Sequence, residues 1–146
     1  MTIPPTAPYR AYWRKLDQKK PTPEQRLAAR RARREARRLA KILAEEFGAK
    51  RVYLFGSFAW SVAWTRPESD IDLAVEGLAD GEWWEAIGRL EDETKYEFDL
   101  QTLENSPPHL HQRILESGLL IYDGQQISIA RRRVARRNRK PAARAG

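Results

Sequence analysis

Between Arg51 and Asp123 four short runs, RVYLF (51–55), DIDLAV (70–75), YEFDLQTL (96–103) and LLIYD (119–123), are rich in the branched and aromatic residues that favour strands. Two of the intervening segments have helical spacing instead. Trp83, Trp84, Ile87 and Leu90 predict an amphipathic helix over 81–95, and Pro107-Pro108 start a shorter one with Leu110, Ile114 and Leu115, which Gly118 ends. Upstream, Thr22-Pro23-Glu24-Gln25 is a capping-box pattern with proline at the first helical position. It predicts a helix from Pro23 to Phe47 that stops at Gly48, with Leu39, Ile42, Leu43 and Phe47 on its packing face. The order α-β-turn-β-α-β-α-β is that of an α/β domain built on one main sheet. A chain of 146 residues has room for one such domain.

The charge is divided along the chain. Residues 1–50 carry 14 basic and 5 acidic side chains, 51–124 carry 5 and 15, and 125–146 carry 8 basic and none acidic. This suggests three parts: a Pro-containing extension over 1–21, a domain over 22–124, and a basic tail over 125–146 that is expected to be flexible and disordered. The first half of the long helix, RLAARRARREARR, has little but alanine to bury, so it is expected to project from the core as a basic, solvated surface. For both flanks two readings stay open: a merely soluble face, or a surface for nucleic acid or an acidic partner.

Other classes are excluded or disfavoured. Without cysteine there is no disulfide or thiolate zinc site, and two histidines do not fill a structural metal site, so any metal here is held mostly by oxygen. No apolar stretch is long enough to span a bilayer, and the start lacks the continuous apolar segment of a secretory signal. A cytoplasmic protein with no membrane partner is expected.

The chemistry-bearing residues lie in the acidic middle. Along a strand, residues two apart share a face, so Asp70 and Asp72 project together while Ile71 and Leu73 enter the core. Adjacent carboxylates repel unless a cation lies between them, and a hard divalent ion such as Mg²⁺ prefers oxygen ligands. Gly56-Ser57, just past the first strand, combines a residue that tolerates close backbone approach with a hydroxyl and N–H groups able to hold a phosphate. Asp99 stands between Phe98 and Leu100 in a third strand. The plainer alternatives are a simple turn at Gly56-Ser57, Asp72 facing water at an edge, and Asp99 facing solvent on an edge strand beside Glu97.

Gly56-Ser57, twelve intervening residues, Asp70-Ile71-Asp72-Leu73 and then Asp99 on a later strand together resemble the minimal nucleotidyltransferase (MNT) fold of the polymerase-beta-like superfamily. RVYLFGSFA, SDIDLAVEGL and FDLQTLENSPPHLHQRILESGLLIYD are similar in particular to the stand-alone MNT antitoxins of HEPN ribonuclease toxins. The resemblance implies one mixed sheet with packed helices. It also implies that Asp70 and Asp72, completed by Asp99 or with Asp99 as base, hold two Mg²⁺ ions, and that Gly56 and Ser57 bind the triphosphate of ATP. The reaction so implied is in-line attack on the α-phosphorus by a tyrosine hydroxyl of the HEPN partner, making the chain an adenylyltransferase that works within a hetero-oligomer. Where the family reads G-S-x-A-R-G, this chain has Gly56-Ser57-Phe58-Ala59-Trp60-Ser61. Arg66 in the same loop is the expected substitute cation, and Trp60 and Trp64 are expected to pack in the core or on a partner. The alternatives are an MNT protein that neutralises its toxin by binding without catalysis, and, less favoured, a nucleic-acid-binding protein using the basic flanks.

Overall fold

The computed structural model describes residues 19–125. The expectations for residues 1–18 and 126–146, including most of the extension and nearly all of the basic tail, lie outside the described residues. The elements are α1 (Pro23–Phe47), β1 (Arg51–Phe55), the single turn α2 (Ser57–Trp60), a 3-10 turn (Val62–Trp64), β2 (Ile71–Glu76), α3 (Trp83–Glu93), β3 (Phe98–Thr102), a second 3-10 turn (Leu103–Asn105), α4 (Pro108–Ser117) and β4 (Leu119–Asp123).

The strands form one sheet in the order β3-β2-β1-β4. β1 runs antiparallel to both β2 and β4, whereas β2 and β3 are parallel, joined through α3. The sheet is therefore mixed, as the resemblance implied. Its two faces carry different layers. Val52, Leu54, Ile71, Leu73, Val75 and Leu100 face α1 and α3 in the larger core, while Phe55 and Ala74 face Leu103 and Ile114 of the α4 side.

α1 begins as its sequence dictates. The Thr22 hydroxyl accepts from the Gln25 N–H at 3.1 Å, and the Gln25 side chain accepts from the Thr22 N–H at 2.9 Å. Gly48, in the left-handed region at φ 71°, ends it.

One expectation about α1 is overturned: its arginine-rich half does not project from the core. Ala29, Ala32 and Ala36 are buried, in line with Leu39, Ala40 and Leu43. Alanine lets the helix lie close to its neighbours, so a seam of methyl groups holds what larger side chains would otherwise hold. Most of the arginines, Arg26, Arg30, Arg31, Arg34 and Arg37 among them, still occupy the opposite, solvated face. At the other end, Arg38 bridges Glu35 and Glu93, while Arg89 bridges Glu93 and Glu46, joining α1 to α3. Trp83 donates from its indole N–H to the Leu100 carbonyl at 2.9 Å, fixing α3 to the edge strand β3. Trp84 and Leu115, placed by spacing on apolar faces, are exposed. Among the described residues no helix is long and apolar enough to cross a membrane.

Candidate active site

β1 delivers Gly56 to the carboxylate of Asp72. Phe55, the last residue of β1, pairs with Asp72 across the antiparallel ladder, so the next residue turns beside that side chain. Gly56 has φ 75° and ψ −154°, a conformation essentially restricted to glycine. A Cβ there would stand 2.1 Å from Asp72 Oδ2. The glycine is thus required twice, by its backbone and by the space the carboxylate fills.

Ser57 opens α2, where the N–H groups of Ser57 and Phe58 fall outside any intrahelical bond. The other end of the turn is held from α1: Arg33 Nε donates to the Phe58 carbonyl at 2.8 Å and Nη2 to the Ala59 carbonyl at 3.5 Å. Burial lowers the pKa of this guanidinium, followed by repulsion from Arg37. Arg33 was hidden from sequence reasoning inside the arginine run, where nothing marks one arginine as turned inward.

The carboxylates meet across the parallel pair. Asp72 is in register with Asp99, which puts both on one face of neighbouring strands about 4.8 Å apart. That face is the α4 side, since Ile71, Leu73 and Val75 fill the opposite core. Asp72 is half-buried, and burial first, then Asp99 and then Asp70, push its carboxyl up to about 7. Asp99 is exposed on the edge strand β3, and Glu97, just before that strand, is exposed too. Asp99 therefore has the solvent-facing position of the plainer reading and also the register beside Asp72 that the functional reading needs, although the three carboxylates are not gathered into one cluster. Asp70, just before β2, is exposed.

Gln101, two residues beyond Asp99 on the same face, donates from Nε2 to Asp99 Oδ2 at 3.1 Å. The Ser106 hydroxyl stands 3.5 Å from Gln101 Oε1. The only mark of Gln101 in the sequence is its two-residue offset from Asp99 along the strand.

Arg66 is exposed in the loop before β2, and its N–H donates to the Ser69 hydroxyl. Trp60 packs on Phe55, ring centroids 5.8 Å apart, beneath the Arg113 guanidinium 4.8 Å from its ring centroid. Trp64 is 48% exposed, with Lys19 Nζ over its ring. A cavity of about 700 Å³ along β3 is lined by Leu78, Asp80, Trp83, Asp99, Gln101 and Glu104, among others; Gly56, Ser57, Asp70 and Asp72 do not border it.

Among the described residues no three acidic or histidine side chains are already gathered tightly enough to hold an ion. The donor chemistry nevertheless fits Mg²⁺. Asp70, Asp72 and Asp99 offer only oxygen, and the pKa of Asp72, raised first by burial, is raised further by repulsion from Asp99 and Asp70 that a divalent ion would relieve.

Residues 37–127 match the polymerase beta nucleotidyltransferase family. No curated protein matches the chain significantly. Among solved structures, a chain of a toxin-antitoxin pair crystallised with AMP-PNP is 25% identical with a TM-score of 0.50, over 70% of this chain and 92% of its own. A chain from the structure of a tri-AMPylated Shewanella oneidensis HEPN toxin with its MNT antitoxin shares the fold at 24% identity and a TM-score of 0.50, over 73% and 92%.

Proposed function

The chain belongs to the polymerase beta nucleotidyltransferase family, and from that premise we propose that it is an antitoxin that transfers AMP from ATP to a tyrosine of a HEPN ribonuclease toxin. The observation that carries this reading is the in-register pair Asp72 and Asp99 beside the constrained Gly56-Ser57 turn. The relative crystallised with AMP-PNP as part of a toxin-antitoxin pair supports both a nucleotide and a protein partner. The HEPN partner and its tyrosine rest on the likeness of the Gly56-Ser57 and Asp70-Ile71-Asp72 phrases to MNT antitoxins.

Gly56 and Ser57 orient the triphosphate through backbone N–H groups and the hydroxyl. Asp70, Asp72 and Asp99 would hold Mg²⁺, which supplies charge stabilisation at the attacking and leaving oxygens. The tyrosine oxygen bonds to the α-phosphorus, the bond to the bridging oxygen of pyrophosphate breaks, and pyrophosphate leaves with the electron pair. The exposed carboxylate of Asp99, on the open edge of the sheet, accepts the tyrosine proton or completes the ion's ligand set. Gln101 steadies Asp99 through its amide. Arg66, exposed in the loop before β2, supplies a cation for the phosphates.

Trp60 favours a second reading. Packed against Phe55 where the family carries an arginine, it gives the turn no cation of its own, as suits an antitoxin that silences its partner by covering it. Incubating the HEPN partner with the protein, ATP and Mg²⁺ and following partner mass separates the two. Transfer raises the mass by an AMP unit and stops with Asp70→Asn/Asp72→Asn; a partner that is neutralised at unchanged mass, equally well by that variant, supports the covering mode and overturns the enzyme.

A further inference from the structure

The proposed reaction uses none of the arginines on the outer face of α1. Arg26, Arg30, Arg31, Arg34 and Arg37 are all exposed, and none forms an ion pair within the described residues. At about 100° per residue, Arg26, Arg30, Arg34, Arg37 and Lys41 fall within an arc of about 80°, and Arg31 and Arg38 widen it to about 140°. The arc lies opposite the seam of Ala29, Ala32, Ala36 and Leu43. From Arg26 to Lys41 it runs about 22 Å. Glu24 flanks the N-terminal end, and Glu45 stands 3.9 Å from Lys41 at the other.

Such a stripe is not needed for solubility alone. Arg26 with Arg30, Arg30 with Arg34, and Arg37 with Lys41 are like-charge pairs four apart, each of which disfavours the helix. A face that only has to be soluble is served as well by mixed signs. A polyanion would relieve the repulsion at every position together.

The occupant follows from what the stripe lacks. The apolar side of α1 is buried under the sheet, which leaves the helix no face to insert into a lipid surface. Protein interfaces are anchored by buried aromatic and apolar side chains, and the stripe offers only Leu27, 40% exposed, at its margin. Single strands are bound by stacking on aromatic platforms, and the exposed Trp64 and Trp84 belong to other elements. Duplex phosphates need only cations. The major groove of B-DNA, about 12 Å wide, admits an α-helix, whereas the deep, narrow groove of an RNA duplex does not.

The fold separates part of the acidic middle of the chain from α1, while on the side of α1 the α3 carboxylate of Glu93 is already engaged by Arg38 and Arg89. α1 covers the sheet face lined by Val52, Leu54, Ile71 and Leu73, and Asp72 and Asp99 lie on the other face. We propose that the outer face of α1 is a sequence-independent binding surface for duplex DNA, with the arginine arc directed at the phosphates that wall the major groove.

The test is fluorescence anisotropy of the full chain with a labelled duplex DNA from about 50 to 200 mM salt. Its variants are R26Q/R30Q/R34Q/R37Q and R26K/R30K/R34K/R37K. Both keep good helix formers on an exposed face, and circular dichroism checks the fold. Any binding by the basic residues of 126–146 is common to all three proteins and cancels. If four phosphate contacts are lost, the Gln variant loses about 3–4 from the slope of log K against log salt, and more than about tenfold in affinity. The Lys variant stays near wild type, and AMP transfer is the same for all three. An unchanged slope and affinity in the Gln variant overturns the proposal. So does a Lys variant as weak as the Gln variant, or binding of duplex RNA, polyglutamate or anionic vesicles as tight as that of duplex DNA.

Discussion

Gly56 lies against Asp72 with no space for a side chain, since a methyl group there would fall 2.1 Å from Asp72 Oδ2 while its backbone holds φ at 75°. Gly56→Ala therefore meets strain from two sources. The backbone alone costs about 1–3 kcal/mol, and the carboxylate must swing away to admit the methyl group. The expected result is a lower Tm together with a loss of AMP transfer that persists at temperatures where the variant is fully folded. Transfer at wild-type rates by the folded variant would show that the position of Asp72 against the turn is unimportant.

In the ion-free protein Asp72 titrates at about 7, raised from 3.8 by burial and by Asp99 and Asp70. Between those values the folded state holds a proton that the unfolded chain has released. Stability is thus greatest below about pH 4 as far as this group is concerned, falls as pH rises through about 7, and is level above it. Other carboxylates contribute the opposite slope, so the comparison that isolates Asp72 is with Asp72→Asn. Denaturant melts should show the variant gaining on wild type as pH rises through that window, with Mg²⁺ stabilising wild type alone at the upper end. Parallel pH profiles for the two proteins would remove Asp72 from the repelling cluster.

Much of this was legible in the sequence because the residues concerned act locally. The strand runs, the Thr22 cap and the Gly48 stop depend on neighbours a few positions away, and the described elements follow them within a few residues. Asp70 and Asp72 share a face through strand period alone. That Asp99 stands beside Asp72 depends on β2 and β3 being parallel neighbours, which the chain reaches only through α3. Arg33 was illegible because its task is set by the position of α2, and the packing of Ala29, Ala32 and Ala36 because alanine carries almost no hydrophobic signal. The match of residues 37–127 to the family covers the sheet and the carboxylates but only the last part of α1.

The alanine seam makes its own prediction. Ala32 and Ala36 are fully buried, so larger side chains have nowhere to go without lifting α1 from the sheet. Ala36→Leu should destabilise by about 1–3 kcal/mol through overpacking, although leucine is a good helix former. Arg34→Gln on the exposed face should change stability by less than about 0.5 kcal/mol. Urea midpoints measure both, and an Ala36→Leu protein as stable as wild type would mean that the first half of α1 is held loosely after all.

Gln25 does two jobs with one amide, and its variants separate them. Its oxygen accepts from the Thr22 N–H to complete the cap, while Nε2 donates to the Ala63 and Thr65 carbonyls at 3.0 and 3.2 Å. The second task fastens the start of α1 to the segment that follows the Ser57 turn. Thr22→Ala breaks only the cap and should cost about 1 kcal/mol. Gln25→Glu keeps an acceptor for the Thr22 N–H and places a negative charge in the first turn, where the helix dipole favours it. It also sets a carboxylate against two carbonyls in place of two hydrogen bonds, an exchange costing about 1–3 kcal/mol. Gln25→Glu should therefore expose residues 61–65 to faster hydrogen exchange and shift Trp64 fluorescence, whereas Thr22→Ala should leave both near wild type. Equal exchange in that segment for the two variants would show that the cap, and not the bonds to Ala63 and Thr65, holds it in place.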